Sequence, residues 1–201
     1  NLLKMERLVI LGAGESGVGT AILGKQKGFE VFVSDSGNIQ NKYKQVLEHH
    51  EIKWEENRHS AEWILNADLV MKSPGIPEKV EMVKKLREKG IPVISEIEFA
   101  WRFTRAEIIG ITGSNGKTTV TTWVQYILKN AGKNSIMAGN IGKSFAEKVA
   151  EKNPTHFVLE LSSFQLDGIV DFRPHIAVIT NITPDHLDRY QHKFDNYIDS
   201  K

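Results

Sequence analysis

Residues 108–124, IIGITGSNGKTTVTTWV, run a short apolar stretch into a glycine-flanked turn and then directly into a lysine and paired threonines. Those residue types at that spacing suit a phosphate cradle. Gly113 and Gly116 bound a loop, with Ser114 and Asn115 between them, whose backbone amides can converge on an anion. Lys117 offers a point charge to the β and γ oxygens of a nucleoside triphosphate. Thr118 and Thr119 put hydroxyls at a helix start, where Thr118 can hold Mg2+. The widespread form of this signature carries a glycine five places before Gly116, and Ile111 stands there instead. The bland alternative, a helix start with a surface lysine, accounts poorly for Thr-Gly-Ser-Asn-Gly-Lys-Thr-Thr directly after an apolar run.

A second glycine turn, GAGESG at 12–17, follows RLVIL. Its glycines permit a tight turn, close approach of a phosphate to backbone, and close helix–strand packing, and the helix that follows points its first amides at an anion. Asp35, at the end of the next strand, can take a ribose hydroxyl. The spacing alone leaves three readings open: a dinucleotide site, a site for another nucleotide, or a structural turn. KSPGI at 72–76 follows a later strand; Gly75 can bring backbone close to a ligand, and the Pro-Gly pair is equally a plain turn. Further polar residues cluster just past strand ends: Asn140, Glu160, then Asn181, Thr183, Asp185 and His186. Ligands of open parallel sheets bind at that edge. Of the seven histidines, only His186 adjoins the predicted metal region; His49, His50, His59 and His192 are expected at the surface, and His156 and His175 in structural roles.

The elements that must position these residues alternate between β-rich runs and amphipathic helical stretches. Strands are predicted at 7–11, 30–35, 67–73 and 92–95, with helices at 16–27, 43–50, 81–90 and 96–104. The pattern restarts with strand 107–112, helix 117–131, strand 134–138, helix 143–152, and strands 155–161 and 175–180. A helix is expected to begin at an Asp195 N-cap. This β-α-β alternation implies α/β architecture with parallel sheets and right-handed crossovers. Two phosphate-type turns, each after the first strand of its half, divide the chain into a Rossmann-like unit over 1–97 and a P-loop α/β unit over 98–201. The second unit shows four strands, against about five or six in a mean sheet, so it is expected to be incomplete.

Composition narrows the function classes. The 201 residues carry a net charge of +1, which gives no field for nucleic acid or an anionic membrane. Without cysteine, disulfides, thiolate metal sites and cysteine nucleophiles are excluded. No apolar run approaches the roughly 20 residues needed to cross a bilayer, and no cleavage-type leader is evident, so the expected location is cytoplasmic.

Taken together, TGSNGKTT, GNIG (139–142), LELSSFQL (159–166) and NITPDHLDRY (181–190) resemble the Mur ligases of peptidoglycan precursor synthesis, whose shorter phosphate loop lacks the glycine that Ile111 replaces. LSSFQL is the most discriminating among the branches of that family. The resemblance implies an ATP-dependent ligase that joins D-glutamate to UDP-N-acetylmuramoyl-L-alanine through an acyl phosphate. It further implies a C-terminal ligase domain beyond Lys201, without which this piece forms no product, and a monomer when complete. Residue by residue, Gly113 to Thr119 would bind ATP, with Lys117 catalytic. Thr118 and Glu160 would hold one Mg2+, and His186 would serve a second. Gly14, Ser16, Gly17, Asp35, Ser36, Ser73 and Gly75 would contact the uridine diphosphate, and Asn140, Ser162 and Gln165 the muramoyl-peptide and phosphate path. Lys201, fifteen residues after His186, stands where the family carries a carbamylated lysine, which would present anionic oxygens to Mg2+. Gly37 stands where the family can place a basic residue, and Glu15 would have to turn its charge away from a pyrophosphate. The alternatives are a ligase adding another amino acid, a NAD-dependent oxidoreductase built on GAGESG, and a nucleotide-sensing module.

Overall fold

The computed structural model describes residues 5–201, so residues 1–4 of the predicted 1–97 unit lie outside it. Two parallel sheets are built in chain order. In the first, β1 (Arg7–Leu11), β2 (Glu30–Ser34), β3 (Lys53–Glu55), β4 (Leu69–Lys72) and β5 (Val93–Ile94) lie in the order β3-β2-β1-β4-β5. In the second, β6 (Glu107–Thr112), β7 (Ser135–Gly139), β8 (His156–Glu160) and β9 (Ile176–Ile179) lie in the order β7-β8-β6-β9. Every registered pair is parallel. The helices are α1 (Glu15–Gln26), α2 (Asn41–His49), α3 (Ala61–Ile64), α4 (Glu81–Glu88), α5 (Glu96–Trp101), α6 (Lys117–Asn130), α7 (Phe145–Glu151), α8 (Ser163–Leu166) and α9 (Phe194–Ser200).

Strand order explains where ligands can go. β1 pairs with β2 on one side and β4 on the other, and β6 pairs with β8 and β9 in the same way. Connections therefore leave each of these strands in opposite directions, opening a crevice at its carboxyl end. Both glycine turns lie at such a point. The central strands are apolar because both faces are covered: β1 is buried throughout, and so are Ile108, Ile111, Phe157, Val158 and Leu159 in the second sheet. At the edge, β9 leaves Ile176 and Ile179 exposed.

Several short elements escape the hydrophobic pattern. β3, α3 and α8 span three or four residues, too few for a periodicity to register. Asp195 is not an N-cap: the last helix starts at Phe194, after an uncapped Lys193, and Asp195 falls in its first turn, where its charge suits the helix dipole. His59 is not a surface residue. It is half-buried, its Nδ1 lies 2.7 Å from the Ser34 hydroxyl, and burial first of all holds its pKa below the usual imidazole value.

The two sheets share their largest apolar cluster. Leu8, Ile10, Ala21, Leu23, Phe99, Phe145 and Phe157 belong to it, and they come from both units. For this reason α1 is buried on nearly every side: Gly17, Val18, Gly19, Thr20, Ala21, Leu23 and Gly24 are all covered, by its own sheet and by α7. Small side chains let both layers approach. Glu96, at the start of α5, ties the units together, and Glu98 anchors the same helix to the 170–172 segment. Glu96 accepts from the Ala146 amide at 2.7 Å, and Glu98 accepts from the amides of Val170, Asp171 and Phe172 at 2.8–3.0 Å.

Candidate functional site

The second glycine turn begins where β6 ends. Gly113 has φ +141°, and a Cβ there would lie 2.0 Å from the Thr180 hydroxyl, so only glycine fits. Gly116 caps α6 in the left-handed conformation, with φ +80°. Part of the loop departs from the expected cradle. Ser114 donates its amide to Asn181 O (2.9 Å) and its hydroxyl to Thr183 O (2.8 Å), while the Asn115 amide donates to Asn181 Oδ1 (3.0 Å). Ser114 and Asn115 therefore hold the 181–183 segment in place. The amides left to meet a phosphate include those of Gly116 and of the first turn of α6, at Lys117, Thr118 and Thr119, which have no partner within the helix.

Lys117 turns back over the loop, its Nζ donating to Gly113 O (2.8 Å) and Ser114 O (3.1 Å). Lys201 arrives from the end of α9 and does the same, to Thr112 Oγ1 and Gly113 O, each at 3.1 Å. Two ammonium groups thus converge on the Gly113 carbonyl. Burial, and next the charge of Lys117, pull the Lys201 pKa down to about 8. The Lys201 side chain is thereby fastened to the loop.

Beneath the loop, Glu160 at the end of β8 is 3% exposed. It accepts from the Thr118 hydroxyl at 2.7 Å and from Asn140 Nδ2 at 2.8 Å. A hydroxyl and a carboxylate in contact, beside amides that suit phosphate, form the hard oxygen set that Mg2+ takes together with water and phosphate oxygens. The residues fit that ion. The four predicted metal residues fall into two pairs: Thr118 with Glu160 as described, and His186 with Lys201, which line the neighbouring cleft. Among the described residues, no three His, Cys, Asp or Glu side chains gather as a metal cluster.

That cleft, about 220 Å3 in volume, is where the units meet. Gly75 reaches it from the first unit, and Lys117, Asn140, Ser162, His186 and Lys201 from the second. Six predicted site residues, separated by up to 126 positions, share one wall-to-wall space. Ser162 N-caps α8 within a capping box, accepting from the Gln165 amide while Gln165 Oε1 accepts from the Ser162 amide at 2.9 Å. Gln165 is thereby turned inward and 3% exposed, so it shapes the turn that presents Ser162 and is not itself on the cleft. Residues that line the cleft but were not singled out from sequence include Ser163, Phe164 and Tyr197. Tyr197 is buried, with its hydroxyl 2.8 Å from that of Ser114. Phe164 lies inside LSSFQL and could have been found there; nothing local marks Tyr197.

The remaining predicted residues stand around the first turn. Gly14 N-caps α1, and a Cβ on Gly17 would sit 1.8 Å from the Gly12 carbonyl oxygen, so this glycine serves helix–strand approach. Asp35 uses Oδ2 to accept from the Ala13 amide (2.7 Å) and Oδ1 to accept from Gly37 (2.8 Å), bracing two turns at once. Ser16 adjoins buried Glu96, Ser36 is exposed, and the Ser73 hydroxyl reaches Gly12 O at 3.4 Å. Glu15 accepts from the Tyr43 hydroxyl at 3.1 Å. No helix among the described residues is long and apolar enough to cross a membrane.

Two family models match the chain: the MurD-like N-terminal domain of Mur ligases over residues 6–95 and the Mur ligase middle domain over residues 111–201. The chain is 63% identical over 196 residues to the UDP-N-acetylmuramoylalanine--D-glutamate ligase of Christiangramia forsetii and 59% identical over 197 residues to that of Bacteroides thetaiotaomicron. Each alignment covers 98% of this chain and 44% of the relative, so the chain spans less than half the length of these curated relatives. Among solved structures it is similar to the UDP-N-acetylmuramate-alanine ligase MurC of Thermotoga maritima, with TM-score 0.62 and 22% identity over 96% of this chain and 45% of that one. It is also similar to the UDP-N-acetylmuramate:L-alanyl-gamma-D-glutamyl-meso-diaminopimelate ligase of Neisseria meningitides, with TM-score 0.62 and 22% identity over 98% of this chain and 68% of that one. At that identity the two structures speak to the fold alone.

Proposed function

The chain belongs to the Mur ligase family, and from that premise we propose that it is the nucleotide-binding portion of an enzyme that joins D-glutamate to UDP-N-acetylmuramoyl-L-alanine at the expense of ATP. Residues 1–97 bind the uridine-nucleotide substrate, residues 98–201 bind ATP, and D-glutamate is received by a part of the protein outside this chain. The observation that carries the reading is the cleft in which Gly75 of the first unit faces Lys117, Asn140, Ser162, His186 and Lys201 of the second. A nucleotide-linked carboxylate entering from one side would there meet a phosphate held from the other.

Each residue has a role that its position supports. The first amides of α6 and Lys117 take the ATP phosphates, and binding draws the Lys117 ammonium off the loop carbonyls and onto phosphate oxygen. Thr118 and Glu160 would hold Mg2+, with Asn140 fixing the Glu160 carboxylate. When bound, Mg2+ would offset the charge on the phosphoryl group during transfer. His186, together with Lys201 once it carries a carbamate, would hold a second Mg2+. The depressed pKa of Lys201 gives its amine a larger neutral fraction near neutral pH. The neutral amine forms an N–C bond with CO2 and releases a proton, which leaves a carbamate. Ser162 and Asn140 orient the muramoyl-alanine carboxylate, which takes the γ-phosphoryl group to become an acyl phosphate; the D-glutamate amine then displaces phosphate. Positioning and charge neutralisation supply most of the rate. The enzyme works in the cytoplasm on small molecules, as a monomer when complete.

The complete protein, given Mg-ATP, UDP-muramoyl-alanine and one candidate amine at a time, should release phosphate with D-glutamate and yield the UDP-muramoyl dipeptide by mass spectrometry. Product with L-alanine or diaminopimelate and none with D-glutamate would assign a sister ligase. Calorimetry that detects NAD binding and no UDP binding would favour an oxidoreductase.

A further inference from the structure

Arg189 does not face the cleft, yet it joins the two units at the cleft's rim. Its guanidinium donates to the carbonyls of Pro74 (3.2 Å) and Gly75 (3.4 Å), the turn that brings the first unit to the cleft. The same guanidinium lies over the ring of Phe164, 4.4 Å from its centroid. Phe164 in turn packs against the imidazole of His186, with centroids 5.0 Å apart, and is stacked with Tyr190 at 6.0 Å. One side chain therefore fixes the backbone of the substrate-side turn and the aromatic ring against which His186 rests.

We propose that Arg189, acting through Phe164, is a positioning residue that sets the Pro74–Gly75 turn against His186 and so tunes binding of the uridine-nucleotide substrate without touching ATP. This inference rests on the functional reading above. A planar fork is what the contact requires, since it meets two adjacent carbonyls while its face stacks on a ring; an ammonium on a flexible stem can do only one of these at a time. Arg189 is half-buried at the surface, so its loss removes a clasp and leaves the core intact.

The test uses the complete protein and the variants R189A, R189K and F164L, with thermal melting as the control for folding. Arg189→Ala should raise KM and Kd for UDP-muramoyl-alanine about tenfold, the size of one lost charge-assisted hydrogen bond, with KM for ATP within about twofold of wild type. Arg189→Lys should fail to restore binding. F164L should weaken it less, and the double variant R189A/F164L should lose less than the sum of the single changes. Full rescue by lysine, unchanged substrate affinity in R189A, or equal losses for both nucleotides would overturn the proposal. Should R189A not fold, R189K and F164L carry the same decision. A wild-type protein that binds no UDP-muramoyl-alanine would instead remove the functional reading, and this inference with it.

Discussion

The molecule presents the same local plan twice, strand then glycine turn then helix, and equips the two copies with opposite charge. At the Gly12–Gly17 turn, a carboxylate already occupies the Ala13 amide, the Ser16 hydroxyl adjoins buried Glu96, and Glu15 lies in the first turn of the helix. At the Gly113–Gly116 turn, Lys117 and Lys201 both donate to loop carbonyls. Glycine spacing alone thus says that backbone can approach a ligand; the flanking side chains say how much negative charge the ligand can bring. The second turn carries the positive charge that the proposed triphosphate would need. The first offers helix amides and hydroxyls, which suit a ligand held by many weak contacts along its length.

The sharpest way to break this contrast is Lys117→Ala. The change should cost on the order of 10³-fold in ATP-dependent turnover of the complete protein, comparable to losing one preorganised donor at a developing charge. UDP-nucleotide affinity and melting temperature should be unchanged. A fall in the cooperativity of melting would mean that the lysine is structural.

Glu96 probes the acidic side. Complete burial raises its pKa from 4.5 to about 7, against the amides of Ala146 and Phe145 and the Ser16 hydroxyl, which lower it. Between those values the folded chain holds a proton that the unfolded chain has released. Stability should therefore fall as pH rises through this window, by about 3 kcal/mol, and level off above it. Glu96→Gln, neutral at all pH, should abolish this slope and exceed wild type in stability at pH 8. Parallel denaturation curves from pH 5 to 8 for the two proteins would refute the assignment.

Gly17→Ala comes next. Its methyl would collide with the Gly12 carbonyl, and overpacking of this kind costs about 2 kcal/mol. The mutant should melt lower and bind UDP-nucleotide more weakly, with ATP binding spared. Asp35→Asn should be the mildest change, at about 1 kcal/mol, because the amide can still accept from one of the two N–H groups that the carboxylate now serves. Denaturant titration resolves both.

The long elements were legible because each states its own period. β1 and β6 are continuous apolar runs, and α4 and α6 are long enough to repeat. The Gly113–Gly116 turn was legible for a different reason: glycines, lysine and threonine in one contiguous stretch have a shared local geometry whatever surrounds them. The short helix of LSSFQL was not, although Ser162 and Gln165 stand at the capping-box spacing, since four residues show no stripe.

What the sequence by itself determined was the α/β alternation, the two glycine turns, and the set of polar residues past the strand ends. Those features depend on neighbours within a few positions, and the chain cannot hide them. Only the tertiary structure decided how the turns are used. It placed Gly75 opposite His186, spent the amides of Ser114 and Asn115 on the 181–183 segment, turned Gln165 inward, and buried α1 on nearly all sides between two layers. Each of these is a contact between residues far apart in sequence, fixed by which strand lies beside which. Local pattern carries no record of that, because hydrogen-bond donors are claimed by whichever acceptor the fold brings within 3 Å.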